Sequence, residues 1–177
     1  DWSHPCQAMA DCLTIQEHFG RLEGIQIAFI GDGNNVARSL AYAAGRLNMK
    51  LVVASPKGYE LDDQTIREAN SFTPNCTWQV RDPFEAVRDA DVIYTDTWVS
   101  MGQEDEKEKR VREFKGYAID MKLIEAAPKH VKIMHCLPAY RGYEISDDAC
   151  ECPGSIIFDQ AENRLHFQRA LLKKLMS

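Results

Sequence analysis

The chain has 177 residues, 45% of them hydrophobic, and 21 basic against 27 acidic side chains give it a formal charge of -6. That length suits one soluble globular domain with enough apolar surface for a core, and the acidic balance argues against nucleic acid or an anionic membrane as the main partner. No apolar run is long enough to span a bilayer, and DWSHPCQ has neither the basic start nor the apolar core of a signal peptide, so small-molecule chemistry in the cytoplasm, or in a mitochondrial matrix after loss of a targeting segment, is expected.

Residues 6–19, CQAMADCLTIQEHF, carry apolar side chains at helical spacing, and Gly20 and Gly24 bracket a connector. IQIAFI at 25–30 is a short Ile-rich strand that stops at the turn GDGNN, after which VARSLAYAAGRLNM resumes a helical pattern. LVVAS at 51–55 reads as the second strand and LDDQTIREANSF as the next helix. TWQV, PFEAVRDA and DVIYTD repeat the alternation, and MKLIEAA precedes the strand VKIMH at 131–135. QAENRLHFQRALLKKLM forms a terminal helix, and the charge run from Glu104 to Arg112 reads as a solvated loop and helix face. Trp2, Trp78 and the methionines read as packing. Near-continuous apolar strands alternating with helices predict an α/β domain, a doubly wound parallel sheet with helices on both faces.

Cysteines at 6, 12, 76, 136, 150 and 152 form no CxxC module, which predicts reduced thiols. Cys150 and Cys152 flank Glu151 without further ligands nearby, so no metal is expected.

In doubly wound sheets ligands bind beyond the carboxyl ends of the strands, where the strand order reverses. Three unusual loops each follow a predicted strand: GDGNN after the first, DTWVSMG after DVIYT, and CLPA after VKIMH. If the first, fourth and fifth strands are neighbours, the three loops converge. GDGNN lacks the third glycine of a dinucleotide fingerprint, which is Val36, and the second strand ends in Ser55 and Pro56 rather than a ribose-binding acid. A nucleotide cofactor is therefore disfavoured. Asn35 is suited to offer its amide to a small carboxylate, although a turn asparagine capping the helix explains it equally well. Asp96 is an acceptor for an ammonium group, with Ser100 and Met101 on the turn after it, or else a strand-end cap. Cys136 is a nucleophile, a hydrogen-bonding thiol or plain core, and His4 and Gln7 can share one side of the first helical turn.

HPCQ, GDGNN, PKGYE, DTWVSMGQE, HCLPA and AENRLH, in this order, resemble the ornithine carbamoyltransferases, in their C-terminal, ornithine-binding half. The likeness runs from Ser3 to the terminal helix; the related aspartate enzymes carry PLPR where this chain has CLPA, and lack the SMG loop. The resemblance implies carbamoyl transfer from carbamoyl phosphate to the side-chain amine of ornithine, without cofactor or metal. It further implies that Asn35, Asp96, Ser100 and Met101 bind ornithine. His4, Gln7, Cys136, Leu137 and Arg164 would contact the carbamoyl phosphate, with His4, Cys136 and Arg164 in the catalytic roles.

The phosphate-binding Ser-Thr-Arg-Thr-Arg loop of the family's other half does not occur in the 177 residues. The resemblance implies that this polypeptide alone is nearly inactive, that the full enzyme is a trimer or a multiple of trimers, and that helices 7–19 and 162–176 meet the other half. Two alternatives stay open: a non-catalytic amino-acid-binding relative, and a dinucleotide-binding oxidoreductase domain.

Overall fold

The computed structural model describes residues 2–99 and 104–177. Its strands are β1 (Gln26–Ile30), β2 (Lys50–Ala54), β3 (Thr77–Val80), β4 (Val92–Thr95) and β5 (Lys132–His135), all parallel, in the order β3-β2-β1-β4-β5. The order reverses beside β1, with β2 and β3 on one flank and β4 and β5 on the other. The carboxyl ends of β1, β4 and β5 therefore lie side by side, as the loop argument required.

Among the described residues, eight α-helices accompany the sheet: α1 (Pro5–Phe19), α2 (Asn35–Arg46), α3 (Asp63–Phe72), α4 (Pro83–Val87), α5 (Lys107–Glu113), α6 (Met121–Glu125), α7 (Asp147–Glu151) and α8 (Ile157–Met176). Phe29, Leu51, Val53, Tyr94 and Met134 face one core with Cys12 and Ile15 of α1 and Leu40 and Ala44 of α2. Their neighbours Ala28, Ile30, Val52, Ile93 and Ile133 face the other, with Ala86 of α4, Leu123 of α6 and Ala149 of α7. Successive strand side chains alternate faces, and both faces of β1, β2, β4 and β5 are buried, which is why these four read as short apolar runs. Asn34, Asp62, Asp82, Asp120 and Ser146 cap five helix starts by accepting backbone N–H bonds in the following turn.

Gly33 shows why the first loop is glycine-rich: a Cβ there would lie 2.2 Å from the backbone nitrogen of Leu61. The residue is glycine because the chain at 60–61 packs directly on it.

Two expectations need correction, and one short helix was missed. Arg110, inside the run read as solvated, is only 3% exposed. Trp2 is 63% exposed and stacks under the Arg38 guanidinium instead of packing in a core. The short helix α7 was not foreseen, because five residues, DDACE, carry too little periodicity to register.

α1 and α8 pack against each other, and α8 leaves Phe158, Leu165, Leu172 and Leu175 exposed along its length. Residues spaced by seven share a helical face, and exposed apolar faces of this kind favour association. The isolated chain is expected to self-associate at high concentration and to bind a hydrophobic dye. A clean monomer by light scattering with little dye binding would contradict this.

Candidate active site

Beyond the carboxyl ends of β1, β4 and β5 lies a cleft of about 230 Å³, lined by His4, Gln7, Asn35, Asp96, Cys136, Leu137, Pro138, Tyr140 and Arg164 among others. Seven of these were singled out from the sequence: His4, Gln7, Asn35, Asp96, Cys136, Leu137 and Arg164. Ser100 and Met101 lie outside the described residues. The volume falls below that of pockets enclosing drug-sized ligands and suits a small metabolite.

Asp96, at the end of β4, organises one wall. Its Oδ1 accepts the Cys136 thiol at 2.9 Å and the Thr97 N–H at 2.7 Å, and its Oδ2 accepts the Asn34 amide at 2.7 Å. Asn34 also accepts the N–H groups of Val36 and Ala37 through its Oδ1. Of the twin asparagines, Asn34 thus takes the cap and Asn35 is left to line the cleft. The helix-start donors that a pyrophosphate would need are committed to Asn34, and Gly33 donates its N–H to the Tyr59 carbonyl. This loop is built to brace Asp96 rather than to cradle a phosphate.

Cys136 is driven well above the usual thiol range by burial and then by the neighbouring Asp96 carboxylate. It is therefore a protonated hydrogen-bond donor, not a thiolate nucleophile. The turn after β5 is held from within by His135, 1% exposed, whose Nδ1 accepts the Leu137 N–H at 2.9 Å and whose Nε2 lies 3.3 Å from buried Glu144. Leu137 sits at φ 56°, a left-handed conformation that disfavours side-chain-bearing residues. His135 is thus the support of the turn, while Cys136 and Leu137 face the cleft. Asp96, His135 and Cys136 each offer a ligand atom within 4.8 Å of the others, but both ring nitrogens of His135 and the Asp96 oxygens already have partners.

The opposite wall comes from α1 and α8. Arg164 donates through Nη1 to the Gln7 side-chain Oε1, and its buried Nε has no hydrogen-bond partner among the described residues. The His4 N–H donates to the Ser39 hydroxyl at 2.7 Å, tying the start of α1 to α2. Burial, then the Arg164 charge, holds the His4 imidazole below its ordinary pKa, with Asp96 pulling the other way. A neutral imidazole beside a fixed cation results.

Besides Glu144, two buried charges escaped the sequence reading. Arg110 of α5 donates through Nε to the Trp98 carbonyl at 2.6 Å and pairs through Nη2 with Asp32 of the GDGNN loop. It ties the loop after β4 to the loop after β1. Asp11 of α1 is fully buried one turn beyond Gln7, and burial raises its carboxyl to about 7, against hydrogen bonds from Gln7, Gln160 and Tyr94 that lower it. The folded pKa lies above the ordinary 3.8, so the folded state binds this proton more tightly. Stability from this group is fully present below about pH 4 and is lost as pH rises through about 7. Between pH 5 and 8 the native chain is expected to lose stability relative to Asp11→Asn, as read by chemical unfolding at each pH. A pH-independent difference would contradict the assignment.

No described helix is long and apolar enough to cross a membrane. Residues 23–175 match the family model described as "Aspartate/ornithine carbamoyltransferase, Asp/Orn binding domain". Ornithine carbamoyltransferase of Thermococcus kodakarensis is 49% identical across 99% of this chain and 57% of its own length, and that of Methanopyrus kandleri is 50% identical with the same coverage. The solved structure of ornithine carbamoyltransferase from Pyrococcus furiosus superimposes with a TM-score of 0.92 at 47% identity, covering 97% of this chain and 56% of that one. The chain spans a little over half the length of the curated relatives it matches. On the family model, the structural superposition and this level of identity, the chain belongs to the aspartate/ornithine carbamoyltransferase family, its residues 23–175 matching the Asp/Orn binding domain.

Proposed function

We propose that this chain, as a single domain over residues 1–177, supplies the ornithine-binding half of an ornithine carbamoyltransferase. The nitrogen of the ornithine side-chain amine bonds to the carbamoyl carbon, the carbon–oxygen bond to phosphate breaks, and the nitrogen loses a proton to give citrulline and phosphate. The observation that carries this is one cleft with an acidic wall, Asp96 braced by Asn34, facing a wall that holds the Arg164 cation and the His4 imidazole. Asp96 and Asn35 suit the ammonium and carboxylate of a free amino acid, with Ser100 and Met101 assigned to the same end on the family resemblance. Arg164, whose Nε has no partner among the described residues, suits the carbamoyl phosphate.

An unperturbed alkyl amine titrates near ~10.4 and attacks only as the free base. A fixed guanidinium across a small cleft disfavours the ammonium form and so favours the nucleophile. Neutral His4 is a donor for the carbamoyl oxygen, where negative charge develops, and Gln7 and the Leu137 carbonyl suit the carbamoyl amide. Cys136, protonated and bonded to Asp96, orients that carboxylate for the ammonium at the amino-acid end. Positioning and electrostatics of this kind suffice for acyl-type transfer.

The remaining length of such an enzyme would supply phosphate binding and the homo-oligomer contacts, a trimer or a multiple of it. We place the reaction in the cytoplasm, which the six free cysteines support. The 177-residue chain alone is expected to form no more than traces of citrulline, and to gain turnover when mixed with a carbamoyl-phosphate-binding half. Normal turnover by the chain alone would overturn the division of labour; failure of the mixture, with both halves folded, would overturn the activity.

A further inference from the structure

Beneath the cleft, the Asp11 carboxylate is a junction of four elements. Its Oδ1 accepts the amides of Gln7 and Gln160, each at 2.8 Å, and its Oδ2 accepts the Tyr94 hydroxyl at 3.0 Å. The Gln160 amide also donates to the Tyr94 oxygen at 3.0 Å and accepts the His135 N–H at 2.8 Å, so β5 is tied in just before the Cys136 turn. An ionised carboxylate only accepts, which dictates that Gln7 turns its nitrogen down to Asp11 and its oxygen up to Arg164. We propose that Asp11 is a positioning residue for carbamoyl transfer: it fixes the orientation of the Gln7 amide, and through it the Arg164 guanidinium, without touching substrate.

The proposal rests on the carbamoyl-transfer reading for its functional meaning, but its geometry is separately testable. An asparagine at position 11 has one acceptor for three donors. If its amide turns its nitrogen to Gln7, the Gln7 amide inverts and meets Arg164 donor to donor. The groups facing Asp11 are Gln7 and Cys12 on α1, Tyr94 on β4, Cys136 in the turn after β5, and Gln160 and Arg164 on α8. Cys12, Tyr94 and Cys136 are all raised by burial, the latter two well above their ordinary values, so Asp11 is the one among them that titrates near neutrality.

The test is NMR of the 177-residue chain. In the native chain the Gln7 side-chain amide and the Arg164 guanidinium protons are expected to be protected, and their protection to fall with a midpoint shared with the Asp11 carboxyl carbon as pH drops through about 7. In Asp11→Asn both sets are expected to exchange about tenfold faster without pH dependence, while backbone signals far from the cleft stay in place. Gln7 and Arg164 signals that ignore the Asp11 titration would overturn the proposal, and the native-chain titration decides it even if the variant fails to fold. Ornithine affinity of the folded variant is expected to stay within about twofold of native, because the Asp96 wall does not include Asp11; a loss of about tenfold or more would show a general collapse of the cleft and overturn a positioning role. If the native chain binds no ornithine, the functional reading fails while the Gln7 and Arg164 signals still decide for or against Asp11.

Discussion

Replacing Arg110 by methionine is expected to destabilise the domain by about 3–5 kcal/mol near neutral pH, because it strands a partly buried carboxylate without its partner. The side chain is 3% exposed, bonds the Trp98 carbonyl and Asp32, and lies over the rings of Tyr59 and Phe114. Methionine keeps much of the apolar stem, so the loss reports mainly on charge and hydrogen bonding. Burial already raises Asp32 above the ordinary carboxylate range despite the guanidinium. Without Arg110 it would protonate more readily still, and the deficit should shrink as pH falls. Asp32→Asn in the same chain should recover part of the loss, since the stranded charge is then gone. Urea unfolding of the two single variants and the double variant provides the cycle, and additive losses would contradict the pairing.

Asp96→Asn is expected to weaken L-ornithine binding on the order of 100-fold, about 2–3 kcal/mol, by removing the negative charge proposed to face the ammonium end. The substitution also sets an amide nitrogen against one of three donors, from Cys136, Thr97 and Asn34. Part of the loss would therefore come from a displaced wall. Asn34→Ala separates the two effects: it removes the brace but leaves the charge, and should cost less in affinity while still lowering stability through the lost cap. Isothermal titration of both variants, with unfolding curves alongside, checks this. Equal losses of affinity would mean that the carboxylate acts only as a structural acceptor.

The sheet was legible because β1, β2, β4 and β5 are buried on both faces, so each reads as a short apolar run ended by a turn. The place of the cleft followed from topology, since three odd loops had to meet if their strands were neighbours. Which of two adjacent asparagines caps α2 was not legible, because it depends on the helix start to within one residue. Arg110 was hidden in a Lys- and Glu-rich stretch whose surface residues mask the single inward position. Asp11 did leave a signal: it is an acid between Ala8, Cys12 and Ile15 on the buried side of α1, four residues after Gln7. An acidic residue on an apolar helical stripe needs partners, and here all of them come from elements far away in sequence or from the preceding turn.

The central claim is that an ornithine site already exists in this domain, and the most direct measurement is an NMR titration of the 177-residue chain with L-ornithine and, separately, L-aspartate. The expected result is saturable shifts at Asn35, Asp96, Thr97 and Cys136 with ornithine, absent with aspartate and lost in Asp96→Asn. Equal shifts with the two amino acids, or ornithine shifts that survive in Asp96→Asn, would contradict it.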